Sequence, residues 1–313
     1  MTQSSPLVSA VIPTRNRPDC LLRAIRSVLD QSHPHIEVVV VIDGEDSLTR
    51  DALSKLEDPR VLVRALCESV GGSEARNIGA RMAEGEWIAF LDDDDEWLPN
   101  KIEMQLQAVS TVVERYPLVC GQVIARSATG DAIWPENAPR KPYSEYLTVR
   151  NRLSYGEGLM QTSSLMAPRE LLHVMPFTKG LPKHQDWDWV LRCASQPDVK
   201  IVYVPTPLAI WNLDVGGSRV SKTNRWRDSL RWIRDMNDMV TPRAYASFMA
   251  FYVAPQAAND GAYREFFPLL KEMVWKGSAR PLDLAVYLGA WLTPHRFKNF
   301  LRSFRHRHTK SRS

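Results

Sequence analysis

This sequence has little with which to cross-link, export or embed itself. Its four cysteines, Cys20, Cys67, Cys120 and Cys193, lie far apart, with neither CxxC nor Cys/His metal spacing. They are expected to be small buried apolar residues in a reducing compartment, not a disulfide framework. No apolar run reaches the ~18 residues of a spanning helix, so no single-helix membrane crossing is expected. The N-terminal MTQSSPLVSAVIP lacks a basic region followed by an apolar stretch of export length, which argues against a signal peptide. Neither glycine-rich phosphate loop is present: a GxGxxG should follow the first strand, where PTRNRPD stands, and GxxxxGK[ST] is absent. Internal repeats and low-complexity linkers are also missing.

What remains is an ordinary globular composition, 44% hydrophobic and 24% charged over 313 residues, enough for one large α/β domain and an appendage. The formal charge of +4 is unevenly spread. From Arg296 onward, RFKNFLRSFRHRHTKSRS holds five Arg, two Lys and no acid, so removing those seven charges leaves the rest of the chain at −3 (4 − 7).

The chain is organised around residues 86–99, EWIAFLDDDDEWLP. Its apolar run ends in four consecutive carboxylates, Asp92, Asp93, Asp94 and Asp95, which reads as a strand buried on both faces in a parallel sheet. The acids then lie at the carboxyl edge, where open α/β sheets bind ligands. Adjacent acids repel, and a hard divalent ion such as Mg²⁺ or Mn²⁺ would relieve them through oxygen ligation. A solvated acidic turn is the plainer reading of the tetrapeptide alone.

Residues 8–12 are β-rich and close in Pro13-Thr14-Arg15-Asn16, a ligand-facing loop. Pro18 suits the first turn of a helix with Leu21, Leu22, Ile25, Val28 and Leu29 on one face. IEVVVVI, residues 36–42, is the clearest buried strand and stops at Asp43-Gly44. Residues 51–56 read as a helix and 61–66 as a third strand. Ser73 reads as the cap of a helix, EARNIGARMAEG, with Glu74 in its first turn. This alternation predicts a parallel, doubly wound sheet. Beyond Pro99, Ile102, Leu106, Val109 and Val113 mark a helix, and residues 118–125 a strand. Residues 127–160 are expected to form a long irregular functional loop. IVYVPTPLAI, residues 201–210, reads as a proline-broken edge strand, and the chain turns helical and aromatic from about Trp226.

Three strand ends thus deliver polar groups to one edge, Thr14-Arg15-Asn16, Asp43 and the acidic run, which makes it the default binding cleft. The loop before the Ser73 helix adds Gly71, Gly72, Arg76 and Asn77, and an arginine one turn into a helix favours a diphosphate. Without a glycine-rich loop the phosphates would be held by metal and arginine. The base would meet side chains such as Asp43, whose carboxylate can accept the imide N–H of uracil; a tight turn is the plainer alternative for Asp43-Gly44. HQDWDW sets Asp186 and Asp188 about 200° apart on a helix, so only one can face a given cleft. A carboxylate beside apolar rings is partly desolvated toward a useful general base, although ordinary helix-start acids would look the same. Trp187, Trp189 and Trp211 could stack on sugars or simply pack.

VSAVIPTRNR, VVVVIDGEDS, GGSEARNIGARMAEGEWIAFLDDDDEWLPNKIEMQ, MQTSSLMAPRELL and HQDWDWVLR follow one another here, and in that order the chain resembles the family 2 glycosyltransferases over roughly residues 7–220. The resemblance implies the nucleotide-diphospho-sugar transferase (GT-A) fold, a Rossmann-like doubly wound mixed sheet flanked by helices. That catalytic domain would span residues 1–225, with a helical extension over 226–313. It also implies an inverting, metal-dependent transfer from a nucleotide-diphospho-sugar, a UDP-sugar first of all, to a saccharide or lipid-linked acceptor in cell-surface polysaccharide synthesis. Carried over position by position, Pro13, Thr14 and Asn16 lie in the nucleoside loop, Asp43 on the base, and Arg76 and Asn77 in the nucleotide site. Asp92 and Asp94 match the family's DxD, Asp92 near the ribose and Asp94 as ligand of Mn or Mg, with Asp93 in the variable middle position beside the nucleotide sugar. Asp186 matches the catalytic base. Gln185 replaces the family's usual Glu, and Asp188 is the fallback. Gln161, Thr162, Gln185 and Trp187 are expected near the acceptor, and Arg219, in GGSRVSK, in a lid over the donor.

Phe297, Phe300, Leu301 and Phe304 fall at i, i+3, i+4 and i+7 with Arg296, Lys298, Arg302 and Arg305 around them, the pattern of an interfacial helix. Upstream, LDLAVYLGAWL is apolar but too short to span. A cationic tail on an acidic body fits anionic headgroups and predicts a cytoplasmic protein touching the inner face of the membrane through residues 296–313. A helix packed on the catalytic domain with a disordered basic end is the alternative. Nucleic acid is not expected as a partner, because the phenylalanines form one stripe instead of spaced stacking platforms. A sugar-1-phosphate nucleotidyltransferase would share the fold but should carry a Gly-rich, Arg-containing loop after the first strand. A non-catalytic scaffold would lack an intact metal or base site. A DxDx[TV] phosphatase is disfavoured, because Asp95-Glu96 follows Asp94.

Overall fold

Three strands of the first half are apolar runs buried on both faces, which leaves them no position for an in–out alternation, and a fourth lies half-exposed at the sheet edge. The computed structural model describes residues 5–153, 156–214, 224–236 and 238–292. β1 (Val8–Thr14) leads into α1 (Pro18–Leu29), β2 (Ile36–Ile42) into α2 (Ser47–Leu53), and β3 (Val61–Ala65) into α3 (Gly72–Met82), followed by β4 (Trp87–Phe90). Every residue of β2 is buried. Pro18 opens α1, and Leu21, Ala24, Ile25 and Val28 bury its apolar face. The four strands pair in parallel in the order β3-β2-β1-β4. Their register sets Thr14 beside Ile42 and Val11 beside Phe90, so the residues following each strand emerge along one edge.

The second half is mixed. The two-residue β5 (Glu96–Trp97) precedes α4 (Lys101–Val109), β6 (Tyr116–Ser127), β7 (Gly130–Trp134) and α5 (Tyr143–Thr148). Then come β8 (Met166–Pro168), α6 (Arg169–Val174), α7 (Gln185–Ala194) and β9 (Val199–Asn212). β8 inserts antiparallel between β4 and β6, β9 runs parallel to β6, and β5 pairs antiparallel with β9. The result is a nine-stranded mixed sheet, β3-β2-β1-β4-β8-β6-β9-β5, with β7 hairpinned onto β6.

Several expectations are corrected. Residues 127–160 are no irregular loop: they complete the β6–β7 hairpin, which turns at Gly130 with φ of 124°, and they contain α5. α2 begins at Ser47, because the Asp46 carboxylate accepts the Thr49 N–H and caps it there. Ser73 does not cap α3. The helix starts two residues earlier, at Gly72 behind Gly71 at φ of 82°, and the Ser73 hydroxyl is buried without a partner. Val113 lies beyond α4 and is exposed. The broken strand is longer than expected and is paired on both sides, with β6 along its length and with β5 at Ala209 and Ile210. Its Pro205 and Pro207 fall where the register slips opposite Gly121 and Gln122, a bulge that asks no ladder hydrogen bond of them. Cys120 and Cys193 are buried as expected, but Cys67 is exposed and Cys20 half-buried.

The chain divides into two compact units. The first, residues 1–135, 160–181 and 185–215, contains the sheet with α1–α4, α6 and α7. The second comprises residues 136–159, 182–184 and 216–313. It contains α5 and then α8 (Trp226–Asp235), α9 (Pro242–Phe248), a π-helical turn (Met249–Val253), α10 (Ala254–Asn259), α11 (Phe266–Lys276) and α12 (Pro281–Leu292). Trp232, Phe248, Met249, Leu269, Met273 and Tyr287 form its buried centre. Among the described residues no helix is long and apolar enough to cross a membrane. The basic segment 296–313 lies outside them.

Candidate active site

β4 is anchored by Phe90, whose ring meets Phe177 and Trp189 edge-on at 5.2 and 5.6 Å. The four acids that follow have four different surroundings. Asp92 accepts from the Arg76 Nη2 at 2.5 Å, and its backbone N–H donates to the Ser163 hydroxyl. Asp93 accepts from the Thr14 hydroxyl at 2.8 Å. One nitrogen, Arg17 Nη1, donates to both Asp93 Oδ1 at 3.1 Å and Asp94 Oδ2 at 3.2 Å. Asp95 is fully enclosed: its Oδ2 accepts from Gln161 Nε2 and the Ser163 hydroxyl, each at 2.7 Å, and its Oδ1 from the Asn212 N–H at 3.2 Å. Burial pushes the Asp93 carboxyl up to about 6, against the Thr14 hydrogen bond and the Arg17 charge. Burial, reinforced by Asp92 and Asp94, also drives Asp95 well above the carboxylate range.

The loops flanking this turn are tied to one another. Asn16 has a positive φ of 56°, which asparagine tolerates, and its N–H donates to Asp46. Pro13 is the half-buried penultimate residue of β1, paired in register with Val41. The Asp43 carboxylate accepts from the Ser69 hydroxyl at 2.9 Å and from the N–H groups of Val70 at 2.6 Å and Gly71 at 3.1 Å. It thereby fixes the entry to α3. From that helix Arg76 reaches in two directions, to Asp92 and, through Nη1, to Gln185 Oε1 at 2.8 Å. Its Nε is buried with no partner. Asn77 is committed elsewhere, since its amide donates to the Phe177 carbonyl and accepts the Phe177 N–H.

α7 brings the last group. Asp186, half-buried in its first turn, accepts the Trp187 N–H at 2.9 Å. Burial, and after it the charge of Asp92, raises its carboxyl to about 6, while Arg76 pulls the other way. Asp188 is an ion-pair residue: it accepts from Arg192 Nε at 2.9 Å and from the Thr178 hydroxyl at 2.6 Å. Trp187 is nearly enclosed, and Trp189 is a core residue, stacked 4.7 Å from Phe177.

Thr14, Arg76, Asp92, Asp93, Asp94, Gln185 and Asp186 therefore form one connected constellation. Asp43 and Gln161 frame it through their own hydrogen bonds, Thr162 is buried in the short turn Thr162–Ser164, and Asn77, bonded to Glu74 and Phe177, is not brought into it. Arg219 lies outside the described residues. Arg17, Ser163 and Asn212, and any role of Asp95 apart from the acidic run, were not singled out from the sequence. Arg17 had a signal, a cation three residues past Thr14 on the edge that bears four acids. Asp95 had none, being one of four identical letters.

The donor set suits a divalent ion. Asp93 Oδ1 and Asp94 Oδ2 already converge on one cationic nitrogen, and every ligand atom on offer is a hard oxygen. Among the described residues no three or more Asp, Glu, His or Cys form a complete cage. Phosphate oxygens would have to complete the coordination sphere, the usual arrangement for Mg²⁺.

Residues 9–173 match the model of glycosyl transferase family 2. The chain is 36% identical over 164 residues to TuaG of Bacillus subtilis, a glycosyltransferase assigned to teichuronic acid biosynthesis, covering 52% of this chain and 60% of that protein. It is 33% identical over 105 residues to the UDP-Glc:alpha-D-GlcNAc-diphosphoundecaprenol beta-1,3-glucosyltransferase WfaP of Escherichia coli, covering 34% of this chain and 42% of that one. Both matches span less than two thirds of the relative's length. The crystal structure of S. aureus TarS 1–349 in complex with UDP-GlcNAc superposes with a TM-score of 0.60 at 16% identity, covering 93% of this chain and 92% of that one. The likeness identifies the GT-A fold.

Proposed function

This chain belongs to glycosyl transferase family 2, and from that premise we propose that it moves a sugar from a nucleotide-diphospho-sugar, a UDP-sugar first, onto a saccharide or lipid-linked acceptor with inversion at the anomeric carbon. The observation that carries this reading is the Arg76 bridge. One guanidinium joins Asp92 of the acidic turn to Gln185, the residue before Asp186, which supports reading the acidic turn as the donor site and Asp186 as the base beside it.

Each residue then has a task. Asp186 takes the proton of the acceptor hydroxyl as that oxygen attacks from the face opposite the diphosphate. Its Oδ1 is held by the Trp187 N–H, which leaves Oδ2 for the acceptor. Arg76 and the N-terminus of α3 meet the diphosphate, and the unpaired Arg76 Nε and Ser73 hydroxyl are donors in want of an acceptor. Thr14 and Asn16 shape the nucleoside loop, and Asp43 fixes the 69–71 segment on the base side. A Mn or Mg ion, held by Asp94 with the diphosphate oxygens, would offset the charge of the leaving group. Gln161, Thr162 and Trp187 border the acceptor side.

The WfaP relative acts, by its name, on a diphosphoundecaprenol-linked sugar, and TuaG is assigned by its name to teichuronic acid biosynthesis. The TuaG name supports a polysaccharide-building role and the WfaP name a lipid-linked acceptor; the cationic run of residues 296–313 is the ground for adding peripheral contact with the cytoplasmic face of a membrane to the proposal. The deciding experiment is a thermal-shift screen with UDP, GDP, CDP and dTDP, each with and without Mn²⁺, on wild type and Asp94→Ala. A shift with UDP and Mn²⁺ that vanishes in Asp94→Ala is expected. A shift that needs no metal, or that survives the substitution, removes Asp94 from its role.

A further inference from the structure

Trp187 and Trp189 are enclosed, but Trp211 is only half-buried. It stands in β9 next to Asn212, whose amide donates to the Asp94 carbonyl at 2.9 Å and whose N–H donates to the Asp95 carboxylate at 3.2 Å. Glu96 pairs with Ile210, so Asp95 and Trp211 are the next positions along β5 and β9.

A second tryptophan meets it there. Val123 of β6 is in register with Trp134 of β7 on one side and with Ala209 of β9 on the other, which sets Trp134, Ala209 and Trp211 on one face of the sheet. The two rings reach each other across β6, with centroids 6.0 Å apart and planes at 67°. Trp134 is half-buried as well. Their neighbours on that face are small: Ala125 is in register with Trp211, and Ala132 with Ala125. A methyl group is too short to cover an indole. Trp97 shares the face through its pairing with Ala209, and its N–H donates to the Ser163 carbonyl at 3.1 Å. The pair therefore lies on the same side of the sheet as the Thr162–Ser164 turn, whose Ser163 hydroxyl closes on Asp95.

The polar edge of Trp211 separates it from the tryptophans that pack. Trp97 gives its N–H to the Phe90 and Ser163 carbonyls, and Trp189 to the Met175 carbonyl at 2.8 Å. The Trp211 N–H meets no acceptor among the described residues. A half-open ring with an unengaged donor is suited to a ligand that offers both an apolar face and an acceptor.

Its place in the sheet indicates which ligand. The nucleoside loops, Thr14 to Asn16 and Asp43, follow β1 and β2, whereas β6, β9 and β7 lie beyond β4 and β8, at the other end of the acidic turn. The charged residues of the hairpin, Arg126 and Asp131, pair with each other and fall on the opposite face. What fits is an uncharged ring with C–H bonds on its face and hydroxyls on its rim, a pyranose.

We propose that Trp134 and Trp211 form the platform on which a pyranose ring of a saccharide acceptor stacks, the Trp211 N–H donating to one of its oxygens. The inference rests on the glycosyltransferase reading above and deepens it: the acceptor is recognised by its sugar.

The test is binding of the labelled full chain, with UDP and Mn²⁺ present, to an array of bacterial surface oligosaccharides, followed by calorimetric titration of the best-bound glycan. Wild type should bind. Trp211→Ala, and Trp134→Ala on the edge strand, should each weaken binding about tenfold. Trp211→Phe keeps a ring but no N–H and should stay within about threefold of wild type. All three should keep the wild-type thermal shift with UDP and Mn²⁺. Should Trp211→Ala fail to fold, Trp134→Ala decides. Wild type that binds no glycan, or folded alanine variants that bind like wild type, overturns the platform. Equal loss in Trp211→Phe and Trp211→Ala overturns stacking. Loss of the nucleotide shift together with glycan binding makes Trp211 a support of the acidic turn through Asn212 and overturns the proposal. A wild type that binds glycan through both rings but shows no nucleotide shift removes the glycosyltransferase reading and leaves the saccharide platform standing.

Discussion

Asp186→Asn should lose activity and gain stability, in amounts fixed by one number. Burial holds the Asp186 carboxyl at about 6 instead of 3.8. As the proposed base it must be ionised, so the rate at saturating donor should climb through about pH 6 and level off by about pH 7.5, with about a tenth of the plateau left at about pH 5. An ordinary carboxylate would already be at its plateau there. The same displacement acts on folding with the opposite sign. Between about pH 3.8 and 6 the folded chain keeps a proton that the unfolded chain has released, so the stabilisation present at low pH is lost as pH rises through the folded value. Two pH units at about 1.4 kcal/mol each set an upper bound of about 3 kcal/mol for the penalty at neutral pH. Asn keeps the Oδ1 that accepts the Trp187 N–H but carries no charge. The variant should therefore fall by about 10²–10⁴ in kcat while its urea midpoint rises above wild type at about pH 7.5, with the two converging near about pH 4. Asp188→Asn should do the reverse, weakening the fold by breaking the Arg192 pair and leaving the acid limb in place. Asp93 is also raised to about 6, so the limb must survive in Asp93→Asn to be assigned to Asp186. A flat profile from about pH 5 to 8, or an Asp186→Asn chain no more stable than wild type, refutes the reasoning.

Three further outcomes can be checked on the same protein. Arg76→Lys keeps the charge but cannot donate to Asp92 and Gln185 at once, so donor binding by calorimetry should weaken about tenfold or more despite an intact fold. Arg17→Gln removes the cation that Asp93 and Asp94 share, and nucleotide-free Mn²⁺ binding, followed by paramagnetic resonance of the free ion, should tighten about tenfold; unchanged affinity would separate Arg17 from the metal site. Gln185→Glu sets a second carboxylate beside Asp186 and should move the acid limb of the rate profile upward by about one pH unit. A limb that stays in place would show that residue 185 acts through Arg76 alone.

The parallel half of the fold was legible because burial on both faces leaves a signature in single strands, as in IEVVVVI. Of the mixed half, β6 and β9 were read as strands, but β8 and β5 are three and two residues long and have no pattern to show. Their pairing is decided by β6 and β9, far along the chain. Short, half-exposed β7 was likewise hidden in a stretch rich in Pro and Gly. In the site, residue type announced the acidic turn but could not divide its labour. Asp95 becomes a buried tie because Gln161 and Asn212 reach it from 66 and 117 positions away, and Asp188 becomes structural because Arg192 lies one turn on.

Charge within the site argues for the order in which ligands arrive. Asp92, Asp93, Asp94, Asp95 and Asp186 are five carboxyls facing two guanidiniums, Arg17 and Arg76, a deficit of three positive charges if all ionise (5 − 2). The crowding shows in Asp93, Asp95 and Asp186, whose carboxyls all stand above their ordinary values through burial first and the charge of Asp92 or Asp94 after it. A bare diphosphate would add to that deficit and meet repulsion, whereas a divalent ion entering with the diphosphate answers both charges at once. The neutral Gln185 fits the same logic. Arg76 has one positive charge to share, Asp92 takes it, and an uncharged amide at position 185 fixes the guanidinium's second edge without competing for that charge or pushing Asp186 further from ionisation.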